Sequence, residues 1–483
     1  MPLWLARTLV FGTSAIVLVV EILAGRLMAP YVGISLETFT GIIGVILAGI
    51  ALGAWAGGVS ADRGDPARLL GPLLVGGGIA TLVAPPIGDA VGRVLDRSGP
   101  VEIVLLTASA FALPAVLLSA VPPVVVKLRL ASLGETGTVV GSFSAIGTVG
   151  ALVGTFVTGF VLIATVPSRP LMAIVGALSV FAGLAFLLSS RRFIAAGVGA
   201  ALALLGGSGL AAAAGPCDIE TAYHCVSVRL DPDRPSGRSL WLDTLRHSYV
   251  DLDDPTHLEF RYTRLIADIQ GTLPAGPLDA LYVGGGGFTL PAHLVATRPG
   301  SSAHVLEIDP VLVRLAEDEF GIEIGTEITV DIGDARLAID DLPDDAYDVV
   351  VGDAFGGLSV PWHLTTREFL AQVDRVLAPG GVYAMNVIDY PPLRFVAAQA
   401  ATAAAVFDDV AVVAPPDYLA GDRGGNFVVV GSDGPLDRSA ITAALGAAGR
   451  GEVVTDGPGF AAFVEGARVL RDDFAPVDQL LSR

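Results

Sequence analysis

Four carboxylates recur through the second half of the chain, each closing a short apolar run: Glu307 and Asp309 in VLEID, Asp334 in DIGDAR and Asp353 in YDVVVGDAF. Acids so placed can accept hydrogen bonds from sugar hydroxyls or take a proton from an amine, and a transfer reaction on a nucleoside needs both. A glycine run, Gly284, Gly285, Gly286 and Gly287, follows the apolar run LYV upstream of Glu307. Glycines let the backbone approach a ligand closely, and an acid about 20 residues later, ending the next strand, can hold both ribose hydroxyls. The run is GGGG rather than GxGxxG, which suits a nucleoside such as S-adenosylmethionine better than a dinucleotide. Asp353 is placed to act as general base. Trp362 or His363, in VPWHLTT directly after it, would line an acceptor pocket. The six histidines show no metal-ligand spacing, so no metal is expected.

These residues need a sheet to position them. Strands are expected at 279–284, 303–308, 328–331, 347–353 and 381–387, with helical stretches between. That alternation predicts a parallel sheet covered by helices, an α/β Rossmann-like domain of methyltransferase type. Its ligands bind beyond the carboxyl ends of the strands, where all four acids fall. A further strand is expected at 425–432, and PGG at 379–381 is a turn into a strand. Upstream, YHCVSVRL and SLWLDTL, separated by DPDRPSG, predict a small β-rich lead-in, followed by a helix over about 255–270.

The first half belongs to a different solvent. The chain is 52% hydrophobic with a mean hydropathy of +0.66. Residues 1–215 carry 8 acids and 11 bases; residues 216–483 carry 41 and 18, so the net charge of −20 resides in the second half. Such an acidic half repels nucleic acid. About 20 apolar residues span a bilayer, and seven spans are expected: 9–28, 38–61, 69–88, 101–121, 137–163, 171–188 and 194–213. The domains are therefore 1–215, an α-helical multi-span membrane domain of about seven helices; 216–275, the lead-in and a linking helix; and 276–483, the Rossmann-like domain. Gly53-xxx-Gly57 and Gly150-xxx-Gly154 are spacings for close helix contact. Glu21 and Arg26, in or near the first span, are candidates for a substrate path or an ion pair. Arg7, Arg63, Arg68, Lys127, Arg129, Arg191 and Arg192 outnumber Arg93, Arg97 and Arg169 in alternate loops, which puts the N-terminus inside. Seven crossings then put the soluble domain outside a bacterial cytoplasmic (inner) membrane; six would keep it inside. The only cysteines, Cys217 and Cys225, are either a disulfide of an oxidising compartment or two separate thiols.

The motifs resemble the spermidine synthase family of aminopropyltransferases. The whole chain resembles bacterial proteins that fuse a membrane domain to a spermidine synthase-like domain. The family's E-S-x-Y-Q-x-I-x-V is ETAYHCVSV here, keeping Glu220 and Tyr223. L-x-L-D-G-x-x-Q is LWLDTLRH, keeping Asp243, with His247 in place of glutamine. Tyr262 matches a tyrosine upstream of the glycine loop, and Arg264 stands where a glutamate follows it. The loop aspartate of GGGDGG is Gly287. Glu307 matches the ribose acid, and Gly333-Asp334-Ala335 matches the adenine-contacting G-D-[AG]. Asp353 matches the first, catalytic acid of D-S-[ST]-D-P, whose second is Gly356. The resemblance implies a decarboxylated S-adenosylmethionine co-substrate and an amine acceptor held by Tyr223, Asp243, His247 and Tyr262. The nucleoside side is kept and the amine side has lost three acids, so putrescine is not the expected acceptor.

The expected function is a membrane-bound aminopropyltransferase-like enzyme using an S-adenosyl nucleoside. Two alternatives are an S-adenosylmethionine-dependent methyltransferase acting on a membrane or exported acceptor, and a transporter with a nucleoside- or polyamine-sensing domain. Seven spans are too few for a twelve-span facilitator unless the protein forms a homodimer. Partners are thus the lipid bilayer and a small amine or membrane-associated acceptor.

Overall fold

The computed structural model describes residues 1–33, 35–95, 99–130, 136–189, 215–449 and 451–481. It divides into two units, Met1–Ser227 and Val228–Arg483. Among the described residues of the first, six helices are long and apolar enough to cross a membrane: α1 Leu3–Val32, α2 Leu36–Arg63, α3 Pro66–Gly92, α4 Pro100–Arg129, α5 Thr136–Leu162 and α6 Ser168–Leu187. They coincide with the first six expected spans; the seventh, 194–213, lies outside the described residues.

Small residues set the packing. A Cβ at Gly150 or Gly154 of α5 would fall on the backbone carbonyls of Phe11 and Ala15 of α1. At Gly53 and Gly57 of α2 it would fall on those of Val116 and Ala120 of α4. Both glycine pairs therefore act as backbone contact faces. The bundle has two distinct ends. At one, Lys127 pairs with Asp62 at 2.6 Å, Arg129 donates to the carbonyl of Met1 at 3.2 Å, and Leu187 packs at Gly71. At the other, the Tyr31 hydroxyl and the Arg169 guanidinium both donate to Asp89, at 2.8 and 2.6 Å.

That second end also receives the chain after the bundle. Strand β1, Ile219–Glu220, pairs antiparallel with the start of β2, Cys225–Leu230. Arg26 pairs with Glu220 at 3.2 Å and donates to the carbonyls of Thr221 and Ala222, while the Ser168 N–H donates to Glu220 at 3.0 Å. Arg26 is thus one half of an ion pair. Cys217 and Cys225 form a disulfide that closes this turn.

In the second unit, β3 (Gly237–Leu242) and β4 (Leu245–Asp251) form a hairpin, followed by α7, Arg261–Gly271. The main sheet then builds from β5 (Asp279–Val283), α8 (Thr289–Thr297), β6 (Ser302–Glu307), α9 (Pro310–Phe320), β7 (Ile328–Ile332), α10 (Ala335–Ala338), β8 (Tyr347–Gly352), α11 (Arg367–Val376) and β9 (Leu377–Asp389). It continues with α12 (Arg394–Ala403), β10 (Asp409–Ala414), β11 (Gly425–Ser432), α13 (Arg438–Ala447) and β12 (Val453–Val454). The order is β12-β10-β11-β9-β8-β5-β6-β7. The pairs from β7 to β9 are parallel; β11, β10 and β12 add antiparallel. The sheet is therefore mixed rather than wholly parallel, and β10 and β12 were not expected. Its core, including Leu281, Val350, Phe369, Val387, Phe395 and Phe427, is almost fully buried. Burial on this scale holds the carboxyl ends of β5, β6 and β8 rigidly side by side.

Candidate active site

The strand order brings the ends of β8, β5, β6 and β7 together, and with them the glycine run and three of the four acids. Gly284 leaves β5 at φ +97°, a conformation that only glycine adopts without strain, and a Cβ there would stand 2.6 Å from the carbonyl oxygen of Asp353. The loop thus rests directly on the end of β8. Glu307, 5% exposed, ends β6 and reaches back to it: one oxygen accepts from the Gly285 and Gly286 N–H groups at 2.8 and 3.2 Å. Its other oxygen accepts from the Asp309 N–H at 2.9 Å. Burial pushes the Glu307 carboxyl up from its ordinary range, and the three N–H donors pull it partly back. A carboxylate already collecting N–H donors beside a glycine loop is suited to hold the two hydroxyls of a ribose.

Asp353 stands where β8 ends and is partly buried. Its two oxygens accept from the Tyr262 hydroxyl at 3.0 Å and the Asn386 amide at 2.8 Å. Asn386, on β9, in turn accepts from the Asn426 amide of β11 at 2.9 Å. Burial pushes Asp353 up to about 7, against the opposing pull of its two hydrogen bonds. Burial and the neighbouring Asp353 also keep Tyr262 protonated as a donor. A positioned carboxyl titrating near neutrality is matched to general base work.

The hairpin covers the loop. Ser248 of β4 accepts from the Gly287 N–H at 3.0 Å, and a Cβ on Gly286 would stand 3.3 Å from Nδ1 of His247. His247 also lies edge-on to Phe355, with ring centroids 6.3 Å apart. Asp243 occupies the two-residue β3–β4 turn at φ +53°, which aspartate tolerates. Beyond β7, Asp334 caps α10 through the Arg336 N–H, and His363 approaches it at 3.4 Å. Ala335, the first residue of α10, is buried. Trp362 stacks edge-on against His363 and is 50% exposed, at the rim.

Asp309, expected at the site, is engaged in the fold instead. Asp309 is fully buried and caps α9 through the Val311 N–H, so Glu307 is the acid that reaches the loop. Tyr223 belongs to the first unit, in the β1–β2 turn, and is 39% exposed. Asn386 and Asn426 are functional candidates that sequence reasoning missed. The available signal was a lone amide in the apolar run VYAMNVID, at a position only 2% exposed.

A mixed sheet with a glycine loop after β5, a buried acid at the end of β6 and a partly buried acid at the end of β8 is the layout of a methyltransferase-type α/β domain. No family model matches the chain. It is 38% identical over 112 residues to a polyamine aminopropyltransferase of Vibrio vulnificus, covering 23% of this chain and 38% of that protein. It is 31% identical over 122 residues to the eEF1A lysine and N-terminal methyltransferase of Bos taurus, covering 23% of this chain and 18% of that one. Against the crystal structure of a probable spermidine synthase from Corynebacterium glutamicum it shows 30% identity and a TM-score of 0.49, covering 53% of this chain and 95% of the other. The chain spans less than two-fifths of the length of either curated relative. Over these stretches the chain is similar both to aminopropyltransferases and to methyltransferases.

Proposed function

We propose that the protein is a membrane-bound aminopropyltransferase that acts on an amine using a decarboxylated S-adenosylmethionine-type nucleoside. The observation that carries this is Asp353: one carboxyl, tuned toward neutrality, fixed by Tyr262 and Asn386 beside the glycine loop. The sulfonium nucleoside supplies its own leaving group, so the N–C bond forms as the C–S bond breaks and sulfur keeps the electron pair. Asp353 takes the ammonium proton. Glu307 orients the ribose, and Asp334 with Ala335 and His363 borders the adenine side. His247 and Ser248 close over the loop and exclude water. Holding the reactants in line supplies much of the acceleration.

A methyltransferase is the second reading, favoured by the match to eEF1A methyltransferases over a similar length. Full-length protein in detergent, given decarboxylated S-adenosylmethionine or S-adenosylmethionine with a panel of amines, separates the two. Release of methylthioadenosine only from the first supports aminopropyl transfer. Release of S-adenosylhomocysteine from the second overturns it.

We further propose that the α/β unit faces the outside of a bacterial inner membrane. Support comes from the bundle: Glu220 binds Arg26 and Ser168 at the end opposite Met1 and Leu187. The disulfide beside it suits an oxidising compartment. An outward site requires its nucleoside to be exported. Labelling a cysteine introduced in loop 231–238 with a membrane-impermeant reagent on intact cells tests the placement; no labelling before lysis refutes it.

A further inference from the structure

We infer that the α/β unit carries a second binding site, for a linear di- or polyamine, apart from the Asp353 carboxyl. This does not depend on the transferase reading above. A cavity of about 430 Å³ lies along α8, between the segment that follows β4 and the segment that joins α9 to β7. That volume falls among those of small-molecule sites, about 300–1,000 Å³. Its floor is carbon: Val250, Ala292, Phe320, Ile322 and Ile328 line it, and all five are buried. Asp353, Glu307 and the glycine run are not part of its lining. Thr289 alone is shared with the narrow space beside Asp353, which has room for about one water.

Charge selects the occupant. Asp251 and Asp254 line the cavity from the β4 side, Glu323 and Glu327 from the α9–β7 segment, and no lysine or arginine lines it. Asp251 is already neutralised, because the Arg234 guanidinium stands 2.6 Å from it. The histidine of the lining, His257, faces Glu259 at 3.4 Å. Asp254 uses one oxygen to accept from the Thr256 N–H and hydroxyl. Glu323 and Glu327 are exposed, and their carboxylates have no hydrogen-bond or ion-pair partner among the described residues. An exposed carboxylate alone holds any cation weakly. Here three uncompensated acids stand at the rim of an apolar trough, so a ligand gains from both only if hydrocarbon joins its cations. A linear polyamine has that alternation. Its ammonium groups meet Asp254, Glu323 and Glu327 while staying partly hydrated, and its methylenes cover Val295, Phe320 and Ile322. A metal ion gains nothing from such walls, and a monoamine satisfies one acid only.

The test is calorimetry on the full-length protein in detergent, with spermidine, butylamine and Mg²⁺ as probes at one ionic strength. Spermidine is expected to bind about tenfold or more tightly than either of the others. Equal binding of Mg²⁺ reduces the site to counter-ion attraction and overturns the inference, and so does the absence of spermidine binding. Two sets of variants locate the amine. Asp353→Asn should leave spermidine affinity unchanged, whereas Glu323→Gln combined with Glu327→Gln, both at exposed positions, should weaken it by about tenfold or more. Affinity lost in the first and kept in the second places the amine beside Asp353 instead and refutes the proposal. Ala296→Trp separates a cavity from a charged surface. Ala296 is an exposed residue of α8 that lines the trough, so the indole fills it and leaves every acid in place. It should weaken spermidine binding about as much as the glutamine pair does; undiminished affinity shows that surface charge alone is sensed, and the inference fails.

Discussion

Replacing Asn386 by Leu removes one of the two hydrogen bonds to Asp353 while keeping the volume of the side chain. Asn386 donates to the carboxylate at 2.8 Å, so it favours the ionised form. A hydrogen bond to a charged group contributes about 1.5–3 kcal/mol, equivalent to about one to two pH units of acidity. The base, pushed up to about 7 in the intact protein, should then titrate at about 8 to 9. Below its midpoint the rate of a base-dependent step falls about tenfold per pH unit. At pH 6 the variant should thus be about tenfold or more below the parent protein, and recover as the pH rises to 9. The assay is kcat/KM for methylthioadenosine release by the full-length protein between pH 5 and 9. An unmoved midpoint, or one displaced toward acid, would refute the role given to Asn386. Stability offers a second readout with its own sign. The folded Asp353 holds a proton more tightly than an unfolded aspartate at about 3.9. Its stabilising contribution is therefore complete below about pH 4 and lost as the pH rises through 7, by at most about 4 kcal/mol. Asp353→Asn should abolish this dependence and depress kcat by about 100-fold or more.

Glu307→Ala should weaken nucleoside binding by about 2–3 kcal/mol, since it removes a charge-assisted pair of ribose hydrogen bonds; calorimetry with methylthioadenosine checks this, and unchanged affinity would remove Glu307 from the site. Gly284→Ala forces a Cβ against the Asp353 carbonyl at a positive φ and should cost about 2 kcal/mol or more of stability, read as a lower thermal midpoint. Arg26→Ala leaves Glu220 half-buried without its cation and should destabilise the detergent-solubilised protein by about 3 kcal/mol; Glu220→Gln should cost less, because it retains an acceptor for the Ser168 N–H.

Much of this architecture was legible because each apolar run carries its own boundary. The first six expected spans coincide with helices whose length alone selects them, although the first four helices extend past their runs at both ends. Pro85 and Pro86 lie inside α3, for instance, where the bundle tolerates them and the helix continues to Gly92. Strands β5 to β8 were legible for the same reason. Strand direction was not: period and composition are the same whether a neighbour runs parallel or antiparallel, so 425–432 was found as a strand and its reversal was not. Strand β10 was hidden because DVAVVA follows an alanine-rich helix and is buried almost throughout, which leaves no alternation to separate the two.

The site divides along the same line. The positions of Glu307 and Asp353 were legible because each terminates a strand, and the rule that ligands lie beyond strand ends needs no knowledge of neighbours. The reading of Asp309 failed because two acids two residues apart share that rule, and only the start of α9 decides which becomes a cap. Asn386 was invisible for a further reason. Its contacts lie in a cross-strand relation, Asn426 to Asn386 to Asp353, that joins β11, β9 and β8 across residues distant in sequence. A lone amide in an apolar strand reads as a solvent-facing position until the sheet order is known. Once β9 lies between β8 and β11, that amide can be satisfied only by its neighbours across the sheet, and one of them is the Asp353 carboxylate.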